Sequence, residues 1–167
     1  SPNYKVRNIN SPKIYKILKK NKIQFLLVFG TQKIKSKIIK KFKDKIFNLH
    51  GGNPEKYRGL DSHYWNIYHD DFNFFTCIHS LNKNLDDGKI FMIKKFYIKS
   101  NTKIHQLRGK NTLNCIQLTN KLLENLIKNK KVKLSNQKKI GRYYSFMPKE
   151  LKKSVQLKFD KKFRSND

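Results

Sequence analysis

One short apolar segment restricts the fold of this chain more than any other feature. Residues 25–29 read FLLVF, without a polar position, and Gly30 follows them directly. A strand with one face in water would alternate polar and apolar side chains, so this segment is typical of a strand buried on both faces, as in a parallel sheet covered by helices. It is far too short to cross a bilayer. The prediction is an α/β fold without membrane contact.

Helical and extended patterns alternate around that strand. Ser11 and Pro12 provide the cap and the first-turn proline of a short amphipathic helix. A second helix is predicted over residues 34–42 and a short strand over residues 46–49. The order helix, strand, helix, strand implies right-handed crossovers and a parallel sheet. Downstream we expect a helix over residues 61–68 capped by Asp61, strands over residues 72–81 and 90–98, and a long helix over residues 111–127.

The length of 167 residues fits one main domain. We predict a core over residues 1–130 and a basic tail over residues 131–167. The tail contains an aromatic segment at residues 141–148, which we expect to form a loop docked on the core. Beyond Lys152 we expect weak order.

The two cysteines indicate whether the protein works in an oxidising or a reducing compartment of the cell. Cys77 and Cys115 have apolar neighbours and lack metal-ligand spacing, so neither a disulfide framework nor a zinc site is predicted. The start of the sequence does not resemble a signal peptide. A reducing cytoplasm is the predicted location.

The charge of the chain has two explanations. The 39 basic and 11 acidic residues give a formal net charge of +28, which favours phosphate-bearing partners such as nucleic acid or anionic lipid. The lysines are spread along the chain together with many Asn, Ile, Phe and Tyr residues, as an AT-rich coding sequence would produce. We favour this compositional explanation, because net charge informs solubility and steering and does not identify a site.

Chemistry is indicated where the second strand ends. Asn48 and His50 are two residues apart, so they project to the same side of a strand. Open α/β sheets bind ligands at the carboxyl ends of their strands. An amide that stabilises an oxyanion beside an imidazole that carries a proton is suited to acyl transfer.

A third partner is expected at the turn between the two later strands. Asp86 can orient and charge a nearby imidazole or relay a proton through water. The stretch Asp86-Asp87-Gly88 is also a favoured hairpin turn, and both interpretations can hold together.

The spacing of these residues resembles the folate-dependent formyltransferase family, which includes glycinamide ribonucleotide, methionyl-tRNA and sugar-nucleotide formyltransferases. The matching elements, in order, are Asn48-x-His50, Pro54, Tyr57-Arg58-Gly59 and Leu85-Asp86-Asp87-Gly88. The resemblance implies a Rossmann-like fold with a mostly parallel sheet, here lacking its first strands. It also implies that Asn48, His50 and Asp86 are catalytic. His79, seven residues before Asp86, fits the family pattern and favours Asp86 over Asp87.

The same resemblance implies a formyl donor, 10-formyltetrahydrofolate. No metal is predicted, because no cluster of carboxylates and histidines has suitable spacing. The implied donor-binding residues are Gly30, Thr31, Gln32, Lys33 and Ile34, whose loop would contact the pterin mainly through its backbone, with Leu85 and Asp87. The implied substrate-binding residues are Gly51, Gly52, Tyr57, Arg58 and Gly59. For Arg58, binding of a substrate phosphate and stabilisation of the loop both remain open.

The acceptor amine is predicted from the residues around the motif. The His-Gly-Gly and Arg-Gly-Leu-Asp-Ser stretches look more like formyltransferases of surface-sugar pathways, so an amino-sugar nucleotide is the predicted substrate. Methionyl-tRNA is the alternative, and the basic charge would then help to hold the RNA. A non-catalytic nucleic-acid-binding fragment is an alternative of another class. A homodimer is compatible with each reading.

The aromatic side chains of the tail also leave two readings open. Tyr143, Tyr144 and Phe146 can stack on a base or sugar, or pack against the domain. We favour packing.

Overall fold

A computed structural model describes residues 2–128 and 131–164 of the chain. Its elements are α1 (Pro12–Lys20), β1 (Leu26–Val28), α2 (Ser36–Phe42), a 3-10 turn (Lys43–Lys45), β2 (Ile46–His50), β3 (Tyr57–Gly59), α3 (Ser62–Tyr68), β4 (Phe74–Ser80), β5 (Ile90–Phe96), α4 (Gln106–Ile127), β6 (Arg142–Tyr144) and α5 (Lys149–Phe163). The α/β class is confirmed. Residues 129 and 130, where we predicted the end of the core, lie outside the described residues, and the two-part division stays a prediction.

The main sheet has the strand order β1-β2-β4-β5. β1 and β2 pair in parallel, with Val28 opposite Asn48, as the helical crossover between them predicts. β4 runs antiparallel to β2, and β5 runs antiparallel to β4. Because only a short connection joins β4 to β5, antiparallel pairing is the geometry open to them. The described sheet is therefore mixed, with its parallel pair at β1 and β2.

Burial of β1 differs from the prediction. Leu26 and Val28 face the cluster that α1 and α2 form with the sheet. Leu27 points the other way and is 39% exposed. The expectation of a strand buried on both faces is therefore wrong within the described residues, because α1 and α2 both pack on the same side of β1.

The start of α1 agrees with the prediction from the sequence, whereas the starts of α3 and α4 differ from it. Ser11 caps α1, where its hydroxyl accepts a hydrogen bond from the Ile14 amide at 3.5 Å. Asp61 precedes α3 but makes no side-chain cap bond, so that prediction is wrong. Its carboxylate instead accepts from the Met147 amide at 3.0 Å, and its φ of 50° is left-handed. α4 begins at Gln106, five residues before the predicted start.

The tail is more ordered than the sequence predicts. α5 continues to Phe163, so the expectation of weak order beyond Lys152 is wrong. Val155 and Phe159, four residues apart on one face of α5, are both fully buried against a cluster that includes Ile67 of α3 and Phe74 of β4. Burial of each such side chain contributes about 1.5–3 kcal/mol, which explains the order of a lysine-rich helix.

No helix among residues 2–128 and 131–164 has the length and apolar character that a membrane span requires.

Candidate functional site

β2, β4 and the turn after β4 bring three polar side chains together. Asn48 lies directly opposite His79 in the antiparallel register, so both side chains project from the same face of the sheet. Asp86 follows in the β4–β5 connection with a left-handed φ of 52°. The Asn48 amide Nδ2 is 3.1 Å from Asp86 Oδ1 and 3.3 Å from His79 Nε2. Asn48 therefore links the Asp86 carboxylate to the imidazole of His79.

His50, at the end of β2, approaches the other side of the same carboxylate. Its Nδ1 lies 3.6 Å from Asp86 Oδ2, and its Nε2 lies 2.8 Å from the carbonyl oxygen of Tyr57. Since a carbonyl only accepts, the proton of His50 is assigned to Nε2. The backbone amide of Gly59 donates to Asp86 Oδ2 at 2.8 Å. The three residues predicted to be catalytic thus lie in one site.

His79 is the fourth member of this network and is fully buried. Its Nδ1 lies 2.8 Å from the carbonyl oxygen of Ser80, which assigns the proton to Nδ1 and leaves Nε2 as an acceptor. The Asn48 amide then has one hydrogen for His79 Nε2 and one for Asp86 Oδ1. His79 therefore fixes the orientation of the amide that contacts the carboxylate.

Burial and charge separate the protonation states of His50 and Asp86. Burial lowers the pKa of His50, the Asp86 charge acts to raise it, and His79 lowers it, with a net pKa below the ordinary 6.5. Burial alone would raise the pKa of Asp86. The contact with His79 Nε2, the positive charge that either histidine would carry when protonated, and the hydrogen bond from the Gly59 amide hold that pKa well below its ordinary range. At neutral pH a neutral imidazole faces an ionised carboxylate.

The Gly51-Gly52 turn packs tightly around the end of β2. A Cβ at Gly52 would lie 2.7 Å from Ser62 Cβ and 3.1 Å from His50 Nε2, so only glycine fits. A Cβ at Gly51 would lie 3.2 Å from the Asn111 amide of α4. Of the two predicted substrate-binding glycines, Gly52 therefore adjoins the imidazole, whereas Gly51 lies against Asn111.

β3 carries the other residues predicted to bind substrate. Arg58 donates from Nε to the Gly141 carbonyl at 2.6 Å and from Nη1 to the Leu85 carbonyl at 3.1 Å. These contacts agree with the loop-stabilising reading of Arg58. Tyr57 is buried, and its backbone carbonyl bonds to His50. Gly59 contributes its amide to Asp86, as described above.

The residues predicted to bind the donor divide into three groups. Lys33, Leu85 and Asp87 line one groove of about 410 Å³ together with Arg58. Gly30, Thr31 and Gln32 are exposed in the loop that precedes Lys33. Ile34 is only 6% exposed and packs in the cluster under α1 and α2, so its side chain faces away from the groove.

Gln137 is a residue of the site that the sequence analysis missed. Its side-chain amide donates to the carbonyl oxygens of Asp86 and Gly88, each at 2.9 Å. It stands alone in a polar, lysine-rich stretch, so no motif marks it. The available signal is indirect: the carbonyls of a tight, buried turn need donors from elsewhere in the chain.

The described ranges, 2–128 and 131–164, contain no group of three or more His, Cys, Asp or Glu side chains arranged to hold a metal ion. In the site itself, the two histidines contact Asp86 directly, His79 Nε2 at 3.3 Å and His50 Nδ1 at 3.6 Å.

Comparisons with known proteins give a consistent result. A family model described as formyl transferase matches residues 1–114. The methionyl-tRNA formyltransferase of Finegoldia magna is 27% identical over 119 residues, which cover 71% of this chain and 38% of that protein. The bifunctional polymyxin resistance protein ArnA of Wigglesworthia glossinidia brevipalpis is 30% identical over 130 residues, 77% of this chain and 20% of that protein. This chain therefore spans less than half the length of these curated relatives.

One solved structure supports the fold. The formyltransferase PseJ of Anoxybacillus kamchatkensis superposes with a TM-score of 0.70 at 22% identity, over 81% of this chain and 70% of that one. That crystal structure contains UDP-4,6-dideoxy-4-formamido-L-AltNAc and tetrahydrofolate. The Rossmann-like fold expected from the resemblance is confirmed. The expectation that this chain lacks the first strands of the fold stays a prediction.

Proposed function

The chain belongs to the formyl transferase family, and on that premise we propose that it transfers a formyl group from 10-formyltetrahydrofolate to the amine of a substrate. One observation carries the proposal: Asp86 lies within 3.1 Å of the Asn48 amide and 3.6 Å of His50. Because the chain spans 38% of its methionyl-tRNA formyltransferase relative, the activity of the whole protein is part of this proposal.

The donor supplies an electrophilic formyl carbon, and the residues of this chain act on the charge that develops during transfer. Negative charge grows on the formyl oxygen when the amine attacks. We assign the Asn48 amide to that oxygen: the hydrogen that lies toward His79 Nε2 turns to the formyl oxygen when the donor is bound, while the other stays on Asp86 Oδ1. Removing one such donor typically costs a factor of about 100–1,000 in turnover.

His50 and Asp86 handle the proton. The attacking amine becomes positively charged as its bond to carbon forms, and it must lose a proton. His50 is neutral at neutral pH and can accept it, directly or through a water. Asp86, ionised beside Nδ1, stabilises the imidazolium that results. The proton then passes to the departing folate nitrogen, which completes the transfer.

We assign an amino-sugar nucleotide as the acceptor. The His-Gly-Gly and Arg-Gly-Leu-Asp-Ser sequences support this choice. The fold shared with PseJ supports it too, since the structure of PseJ contains a UDP-linked formamido sugar. Gly52 lets the turn after β2 pack closely against Ser62 and His50, where a larger residue would displace one of them and disturb the imidazole. We place the reaction in the cytoplasm, where the free, buried thiols of Cys77 and Cys115 would remain reduced.

Methionyl-tRNA is the second candidate acceptor. The similarity to a methionyl-tRNA formyltransferase favours it. The net charge of +28 favours it too, because lysine and arginine side chains that contact RNA phosphates release the counterions bound to the RNA. Strong salt dependence of acceptor binding would support tRNA. A sugar nucleotide carries few charges, so its binding should depend weakly on salt.

The test is formyl transfer to UDP- and dTDP-linked amino sugars and to methionyl-tRNA, followed by mass spectrometry of the acceptor. The variants are Asp86→Asn and the matched control Asp44→Asn, at an exposed position in the 3-10 turn. We expect Asp86→Asn to lose turnover while Asp44→Asn keeps it. Wild-type turnover in folded Asp86→Asn protein would refute the assignment. Formylation of neither acceptor class by folded protein would refute the proposed function.

A further inference from the structure

The segment over residues 137–144, here called the strap, crosses the site from the far end of the chain. Gln137 begins the strap on the turn that holds Asp86. Gly141 donates its amide to the Pro54 carbonyl at 3.1 Å, and Tyr144 accepts from the Leu60 amide at 2.9 Å. The strap is therefore bound to the β4–β5 turn at one end and to the chain around β3 at the other.

The strap approaches β3 closely because glycine occupies the contact. A Cβ at Gly59 would collide with the carbonyl oxygen of Tyr144 and would lie 2.7 Å from Cε2 of Tyr143. Gly59 also has a φ of 91°, a conformation that other residues rarely adopt. The ring of Tyr143 thus lies against the residue whose amide donates to Asp86.

Two large side chains of the strap face solvent at the groove. Tyr143 is 47% exposed and Ile140 is 66% exposed, and both line the groove of about 410 Å³ that Lys33, Leu85 and Asp87 also line. Tyr144, by contrast, stacks on Trp65 with ring centroids 4.8 Å apart. The packing expected of the tail aromatics therefore holds for Tyr144, whereas Tyr143 and Phe146 keep exposed ring surface, so the expectation is wrong for those two. An apolar wall with a few polar groups is typical of a ligand pocket, and the volume is in the usual range.

We propose that Ile140 and Tyr143 form the second wall of the donor site, with Tyr143 stacking on the flat ring system of the folate donor. This inference rests on the proposed function, because it takes the groove beside Leu85 and Asp87 as the donor site. Arg58 is a positioning residue for the wall, since its guanidinium joins the Gly141 carbonyl of the strap to the Leu85 carbonyl of the opposite loop.

The experiment is a calorimetric titration of the full chain with 5-formyltetrahydrofolate and, separately, with uridine diphosphate. The variants are Tyr143→Ala, Tyr143→Phe and the control Tyr97→Ala, at a tyrosine that is 77% exposed beyond the end of β5. We expect Tyr143→Ala to weaken folate binding about fivefold to tenfold, as the loss of one aromatic contact predicts. Tyr143→Phe keeps the ring and should bind within about twofold of wild type, as should Tyr97→Ala.

A kinetic measurement separates stacking from a general structural role. Tyr143→Ala should raise the KM for the donor and change kcat little, because the ring contacts the donor away from the reacting carbon. Arg58→Lys should raise the same KM, since lysine cannot reproduce the fork that joins the two carbonyls.

Each contrary outcome has a distinct meaning. Unchanged folate binding by Tyr143→Ala would overturn the inference and leave the proposed function intact. Weaker binding of uridine diphosphate, with folate binding unchanged, would overturn it too and assign the ring to the acceptor. Failure of the folded wild-type chain to bind any folate would overturn both the inference and the proposed function.

Discussion

The turn that carries Asp86 is held from two sides, and the two sides differ in kind. On the sheet side, the carboxylate is contacted by half-buried Asn48 and by the buried side chains of His50 and His79. On the strap side, Gln137 contacts the backbone carbonyl of Asp86. Functional groups therefore converge from the sheet, while the strap positions the turn. Substitutions on the sheet side should alter chemistry, and those on the strap side should alter stability and ligand binding.

The largest expected effect belongs to the sheet side. Replacing His50 with Gln removes the proton acceptor and keeps a polar side chain of similar length. We expect kcat to fall by a factor of about 100–10,000, with the affinity for 5-formyltetrahydrofolate little changed. Turnover at saturating donor and acceptor, with titration of the folate analogue, measures both. A variant with wild-type kcat would remove His50 from the reaction and would break the comparison.

Disrupting the contact between the strap and β3 should have the next largest effect, on stability. Gly59→Ala forces a methyl group into Tyr144 at a φ of 91°, and we expect the free energy of unfolding to fall by about 2–4 kcal/mol. Urea denaturation measures this change. Gly109→Ala is the control, because its Cβ would meet no atom within 4 Å and a helical alanine is favoured. Equal stability of the two variants would show that the close contact between the strap and β3 does not contribute to the free energy of unfolding.

The pH dependence of stability sharpens the sheet side. The pKa of His50 is lower in the folded state than its ordinary value of 6.5, so the unfolded chain binds more protons below that pH. Stability should therefore fall as pH decreases below about 6.5, with a slope of at most about 1.4 kcal/mol per pH unit for one group. The depressed pKa of Asp86 adds a further loss below its ordinary 3.8.

Unfolding free energies of wild type and His50→Gln, measured from pH 7.5 to about 5, test this slope. The variant should be flatter in that range. Parallel curves would mean that His50 is not the group that titrates.

The smallest effect is expected at Gln137. Gln137→Ala leaves two turn carbonyls without their donor, at a cost of about 1 kcal/mol. The loss is limited because the Oε1 atom of Gln137 is buried without a hydrogen-bond partner in the structure. Turnover should fall less than tenfold. Gln24→Ala, at an exposed position, is the control. A loss of turnover as large as that of His50→Gln would give the strap a direct role in the chemistry.

Local signals predicted the sheet side well. Two residues apart on a strand share a face, so the placement of Asn48 and His50 followed from spacing alone. Asp86 was expected in a turn, and the family resemblance related it to the histidine. The network formed by His79 was harder to anticipate, because it depends on the register between β2 and β4.

The strap side was not predictable from local signals. β3 and β6 are three residues each and pair across a long sequence separation, which short-range patterns do not report. α5 is rich in lysine, and its order comes from burial of Val155 and Phe159 against other elements. Asp61 has the residue type of a helix cap, but a bond to Met147 uses its carboxylate instead.

The pairing of β3 with β6 has a consequence for how the protein is made. Arg58 and Gly141 are 83 positions apart, so the contact that braces the Asp86 turn closes a very long loop. Closing a loop of that size costs about 4 kcal/mol of chain entropy beyond a constant, so we expect this contact to form late in folding. During synthesis, the histidine and asparagine leave the ribosome long before the segment that completes their surroundings. A nascent chain should therefore acquire folate binding only after residue 144 has emerged.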